Sequence, residues 1–138
     1  MTRISDAEAP WLLAWPWENV VAMNRDLCAA RQAMHKATSA NAEVESEWDS
    51  RTEKVRTFAA LLRFLLWCHR KAPFCFYNGN TFAAIARQII GTLPLSPENA
   101  GPLRSAAGHY VAGVLSPEDL DALLTGVTLP ESWEFNPG

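Results

Sequence analysis

Between Trp17 and Ala72 the chain runs for 56 residues without a glycine or a proline, and its apolar positions recur at intervals of three and four. That is the period of an α-helix burying one face. Val20, Met23, Leu27, Ala30, Met34 and Ala37 form one series; Val44, Trp48, Val55, Phe58, Leu62 and Leu65 form a second, with Arg51 in its one polar gap. Between them lies Thr38-Ser-Ala-Asn41, a stretch of low helix propensity rich in capping side chains. The pattern predicts an antiparallel helical hairpin with arms over about 17–37 and 41–71. A single unbroken rod is the alternative, and it would need a second copy to bury its seam. From Phe58 to Cys68 Arg63 is the sole charged residue, and this stretch reads as the buried part of the second arm.

Downstream the punctuation is denser. Ala72-Pro73 stops the second arm, because a residue before proline avoids the α region. Phe74 to Tyr77 is extended or β-prone, Asn78-Gly79 signals a turn, and Asn80 is placed to cap a helix over about 81–90. That helix would bury Phe82, Ile85, Ala86 and Ile89 and end at Gly91. Ser96-Pro-Glu98 and Ser116-Pro-Glu118 repeat one helix-start chemistry: a capping serine, proline at the first helical position and an acid in the first turn. Gly101-Pro102 is expected to break the first copy, leaving a helix over about 102–115 with Leu103, Ala107, Tyr110, Val111 and Val114 inward. The second copy starts a helix over about 117–125. Ser5 to Glu8 has the form of a capping box, and residues 1–16 read as a tryptophan-rich lid. Residues 127–138 lose the helical period and read as an extended tail pinned by Trp133 and Phe135. The fold class is all-α: one helical bundle with three shorter helices beside the hairpin.

Composition narrows this picture. With 138 residues, about half of them apolar, one domain spanning 1–138 is the expectation. No apolar run approaches the roughly 20 residues a membrane-spanning helix requires, so no membrane association is expected. Asp6, Glu8, Pro10 and Pro16 lie where a signal peptide would carry a basic start and an apolar run, which points to a cytoplasmic protein. Cys28, Cys68 and Cys75 are odd in number and irregularly spaced, as suits free thiols rather than a disulfide framework. Charge is uneven along the chain, with balances of −4, +6 and −5 over residues 1–49, 50–110 and 111–138. A basic middle between acidic ends fits segments that neutralise one another in the fold, and also fits contact with a phosphate backbone.

Candidate chemistry is sparse. His69 adjoins Cys68 and lies near Cys75, but no CxxC, HExxH or carboxylate-rich loop accompanies them, so no metal site is assigned. No nucleophile context and no phosphate-cradling loop is present; no catalytic residue and no cofactor is assigned, and a non-enzymatic role is the expectation. Thr81 to Gly91 has the look of the first helix of a helix-turn-helix, but the spacing is a residue too long and the following segment offers only Arg104 to a nucleic acid. Trp11, Trp15, Trp17 and Trp48 are the candidate protein-binding residues, since tryptophan is enriched in binding hot spots. Arg51, Lys54, Arg56, Arg70, Lys71 and Arg87 are the candidates for nucleic-acid backbone contact within the basic 51–87 region. Arg63, stranded among apolar neighbours, marks a possible pocket. The function expected is that of an accessory or adaptor subunit binding another protein or a second copy of itself, with nucleic-acid backbone binding as the alternative.

Overall fold

A computed structural model describes residues 1–137. The chain is all-α, with helices α1 (Trp17–Ala30), α2 (Asn41–Trp48), α3 (Arg51–Lys54), α4 (Phe58–Lys71), α5 (Asn78–Ile90), α6 (Pro97–Val111) and α7 (Pro117–Thr125). Strands β1 (Thr2–Arg3) and β2 (Thr128–Leu129) pair antiparallel, Thr2 against Leu129, and bring the two ends of the described chain together. Helix α5 is the hub: α4, α6 and α1 all pack on it, and α6 in turn carries α7. No helix among the described residues is long and apolar enough to cross a membrane.

Helix α4 is the apolar stretch from Phe58 onward. Thr57 caps it, its Oγ1 accepting from the Ala60 N–H at 3.1 Å, and Phe58, Leu61, Leu62, Leu65, Leu66 and Cys68 are buried. His69, Arg70 and Lys71 close its last turn, where positive charge suits the helix dipole. Ala72 then turns left-handed with φ 53°, a conformation disfavoured for a residue with a Cβ. It is held there by Thr38, whose Oγ1 donates to the Ala72 carbonyl at 2.6 Å.

The long hairpin expected over 17–37 and 41–71 does not form. Its first arm ends at Ala30, because Gln32 adopts φ 55° and the chain then runs extended beside the segment after α4. There the Thr38 N–H donates to the Pro73 carbonyl at 3.0 Å and the Cys75 N–H to the Lys36 carbonyl at 2.9 Å. The second arm is three helices, α2, α3 and α4. Residues 55–57 leave the helix to pair with the N-terminal segment, the Ala9 N–H donating to the Arg56 carbonyl at 2.8 Å and the Phe58 N–H to the Ala7 carbonyl at 3.1 Å. Val55 and Thr57 are β-branched, so helix was the weaker of their two options.

Three other boundaries move. Asn80 does not cap α5, which begins at Asn78 after Tyr77 at φ 60°; Asn78 instead clasps Phe74, accepting from its N–H at 3.0 Å and donating to its carbonyl at 2.7 Å. Gly101-Pro102 does not break α6, which runs from Pro97 to Val111 with Pro102 on its exposed side; Val114, expected inward, is exposed. The residues of the capping box lie in and after a 3-10 turn over Ile4–Asp6 with no side-chain cap, and Glu8 bridges to Thr57 through the backbone. Of the twin helix starts, Ser116 makes its cap, accepting from the Asp119 N–H at 3.1 Å, while Ser96 makes none.

Candidate functional site

Of the candidate tryptophans, Trp11 and Trp48 are buried in the core, and Trp15 and Trp17 are half-buried. Trp48 donates through Nε1 to the Trp15 carbonyl at 2.7 Å. Trp17 meets Trp48 edge-on at 5.7 Å and stacks on Phe74 at 5.9 Å with only 10° between the rings. Trp17 thus bridges the core and the surface.

Most of the basic candidates are already engaged within the fold. Arg51 is half-buried and donates to the Leu12 carbonyl at 2.9 Å and the Trp48 carbonyl at 3.3 Å. Lys54 pairs with Glu47 at 3.3 Å, and Lys71 with Glu43 at 3.0 Å while lying over the Trp67 ring. In both pairs the acidic partner comes from the preceding, acidic third of the chain. Arg87 is half-buried, its guanidinium lying against the bare Cα of Gly108. Arg56 reaches only the Thr52 carbonyl at 3.4 Å, and Arg70 is exposed. Arg63 is exposed as well, on the rim of a cavity of 90 Å³ that also touches Ala59, Tyr110 and Asp121.

A large concavity lies beside α1. It is a groove of about 700 Å³ with an apolar floor of Trp17, Val21 and Phe74 and a polar rim of Glu18, Arg25, His35, Asn41 and Glu45. One wall is α1; the others are the extended 35–38 segment, the start of α2 and the turn after α4. Neither Glu18 nor Glu45 has an ion-pair partner within 4.0 Å among the described residues.

A buried polar cluster fixes this groove from beneath. Asn24 is fully buried, and its Nδ2 donates to the Phe76 carbonyl at 2.8 Å and to Thr81 Oγ1 at 3.0 Å. Thr81 Oγ1 can accept because its own proton goes to the Tyr77 carbonyl at 2.7 Å. The amide orientation is thereby set, and Asn24 Oδ1 must be the acceptor for His35 Nδ1 at 2.9 Å. His35 therefore carries a proton on Nδ1. Cys28 adds a weak donation from its thiol to the same oxygen at 3.6 Å. Asn24 in this way joins α1 to the 35–38 segment and to the start of α5.

Among the described residues the groove lining holds no serine, threonine, cysteine or lysine. Among the described residues no group of three or more His, Cys, Asp or Glu side chains is placed to hold a metal ion. Its composition suits recognition: flat aromatic surface, acceptors and unpaired carboxylates. Among known proteins, no family model, no curated protein and no solved structure matches the chain.

Sequence reasoning missed Asn24, His35, Phe74, Glu18 and Glu45 as site residues. A signal existed in α1, where the buried residues are Val20, Asn24 and Cys28, spaced by four. The series through Met23, Leu27 and Ala30 lies one residue off that line, and a polar Asn24 between Val20 and Cys28 is the mark of a buried hydrogen-bonding node.

Proposed function

We propose that this protein is a non-enzymatic interaction subunit, an accessory or adaptor acting in the cytoplasm, whose α1 groove seats a short segment of a partner protein. The observation carrying this reading is the groove itself, with Trp17, Val21 and Phe74 on its floor and Glu18 and Glu45 unpaired on its rim. The segment that fits presents an apolar or aromatic side chain beside a basic one. Burying one such side chain contributes about 1.5–3 kcal/mol, and a rim ion pair roughly 1 kcal/mol at most, so the apolar anchor sets affinity and the carboxylates set selectivity. Three free cysteines suit a reducing compartment.

The test is selection of binders from a random-peptide display library against the whole protein. Enriched peptides are expected to pair an apolar residue with a lysine or arginine. Their binding should be abolished by Val21→Glu and weakened, with loss of salt sensitivity, by Glu18→Gln combined with Glu45→Gln. Binders indifferent to Val21→Glu, or no enrichment at all, would sink the proposal.

A further inference from the structure

A second cavity, of about 310 Å³, shares no lining residue with the groove. Trp11, Trp15 and Phe135 give it aromatic walls, and Asn19 of α1, Gln88 of α5 and Thr92 just beyond α5 give it polar ones. Among the described residues no charged side chain lines it. A charged ligand would lose its hydration there with no counter-charge in the lining, so the lining selects for neutral molecules.

Trp11 supplies the second observation. Its ring is boxed in by Phe58 edge-on at 5.3 Å, Trp133 stacked at 5.4 Å and Phe135 edge-on at 5.9 Å. Its Nε1 is buried and meets no hydrogen-bond acceptor among the described residues. The other deeply buried indole, Trp48, has its acceptor in the Trp15 carbonyl. A buried donor left without a partner is rare in folded proteins and calls for one. Thr92 presents the opposite need: its hydroxyl proton is committed to the Ile89 carbonyl at 2.7 Å, which leaves Oγ1 as an acceptor.

We infer that this cavity binds a small neutral aromatic carboxamide or a close relative, its carbonyl oxygen accepting from Trp11 Nε1 and its amide N–H groups donating to acceptors such as Thr92 Oγ1. The ring of the ligand lies against Trp15 and Phe135. Because Trp11 Nε1 is closed to solvent, the side chains around it must shift for the oxygen to reach it. The inference is independent of the groove and stands whether or not a peptide binds there.

The experiment titrates the isotope-labelled full chain with benzamide, benzoate and benzylamine, three probes of nearly one shape and different charge, and follows the assigned Trp11 indole N–H by NMR. Benzamide is expected to shift that signal saturably in the millimolar range, benzoate and benzylamine at least tenfold more weakly. Thr92→Val and Gln88→Leu, both at exposed positions, should weaken benzamide several-fold while leaving the rest of the spectrum in place. Equal responses to all three probes, or a benzamide response untouched by both variants, would overturn the assignment. So would a Trp11 indole that exchanges quickly with solvent deuterium and ignores benzamide, since the partner of the donor would then be water.

Discussion

In α4, α5 and α6 the buried side chains recur at three and four residues and the helical backbone satisfies itself; between Met1 and Thr57 polar side chains hold the backbone in place. The first region reads Leu61, Leu62, Leu65 and Leu66, then Phe82, Ile85, Ala86 and Ile89, then Leu103, Ala107, Tyr110 and Val111. In the second, Trp48 and Arg51 reach the Trp15 and Leu12 carbonyls, Thr38 and Asn41 reach those of Ala72 and Pro73, and Asn24 reaches that of Phe76. Packing is tolerant of small shifts and directional bonds are not. The groove draws nearly all of its walls from the second region, where irregular backbone leaves concave surface, and the smaller cavity draws part of its wall from there. The difference teaches where each kind of change should be felt: throughout the molecule in the packed region, locally in the bonded one.

The largest effect belongs to the packed region. Leu65 is fully buried in α4, so Leu65→Ala should cost about 2–5 kcal/mol. Urea unfolding followed by far-ultraviolet dichroism should show one transition at a lower midpoint. Cys28 and Cys68, buried in α1 and α4, should become reactive to iodoacetamide at the same urea concentration. A loss under about 1 kcal/mol, or two separated transitions, would mean that α4 is not the common core.

How much of this was legible in the sequence follows the same division. The α7 boundaries and the capping role of Ser116 could be read because the signals were local and nothing distant competed for them. Helix α4 was visible as an apolar stretch, but its start was not, since only the backbone of Ala7 and Ala9 explains why residues 55–57 leave the helix. Nothing within fifteen residues of Val55 contains that information. Gly101-Pro102 misled for a different reason: proline near the start of a helix forfeits one backbone bond, and with its ring exposed that loss is tolerable. The groove was invisible because its floor joins Trp17 to Phe74 and its support joins Asn24 to His35 and Thr81, pairs made by the fold and by no spacing rule.

A middle-sized effect should come from the bonded region. Asn24→Ala removes the donor to Phe76 and Thr81 and the acceptor for His35, at a cost of about 1–3 kcal/mol. The damage should be confined to α1 and the 31–40 segment. Under native conditions Cys28 should become reactive to iodoacetamide while Cys68 stays protected, a split absent from Leu65→Ala. Burial pushes the Cys68 thiol well above its ordinary range, so it holds little thiolate to react in the folded state. The same shift has a pH consequence. The unfolded thiol ionises first, so the stability contributed by the neutral buried thiol is whole below about pH 8.5 and declines as pH rises past it. Cys68→Ala should flatten that alkaline decline. If Cys28 and Cys68 become reactive together in Asn24→Ala, the two regions open as one and the comparison fails.

The smallest effects test a place where the packed region, which also ties the Val111 carbonyl to His69 Nδ1 at 2.8 Å, borrows the other's device. Gly101 and Gly108 both lie in α6 with ordinary helical φ, but a Cβ at Gly101 would meet nothing within 4 Å, whereas one at Gly108 would collide with the Arg87 guanidinium. Gly101→Ala should therefore stabilise by about 0.5–1 kcal/mol, the helix-propensity difference alone. Gly108→Ala gains the same propensity but must expel a half-buried guanidinium, so its net effect should be smaller or of opposite sign. The discriminating measurement is a double-mutant cycle with Arg87→Ala. If Arg87 is held by its approach to the bare Cα, Gly108→Ala becomes as stabilising as Gly101→Ala once the arginine is gone, and the cycle returns a coupling energy of about 0.5 kcal/mol or more. A coupling near zero would mean that Arg87 swings aside freely. It would then be as available to a partner as Arg56 and Arg70.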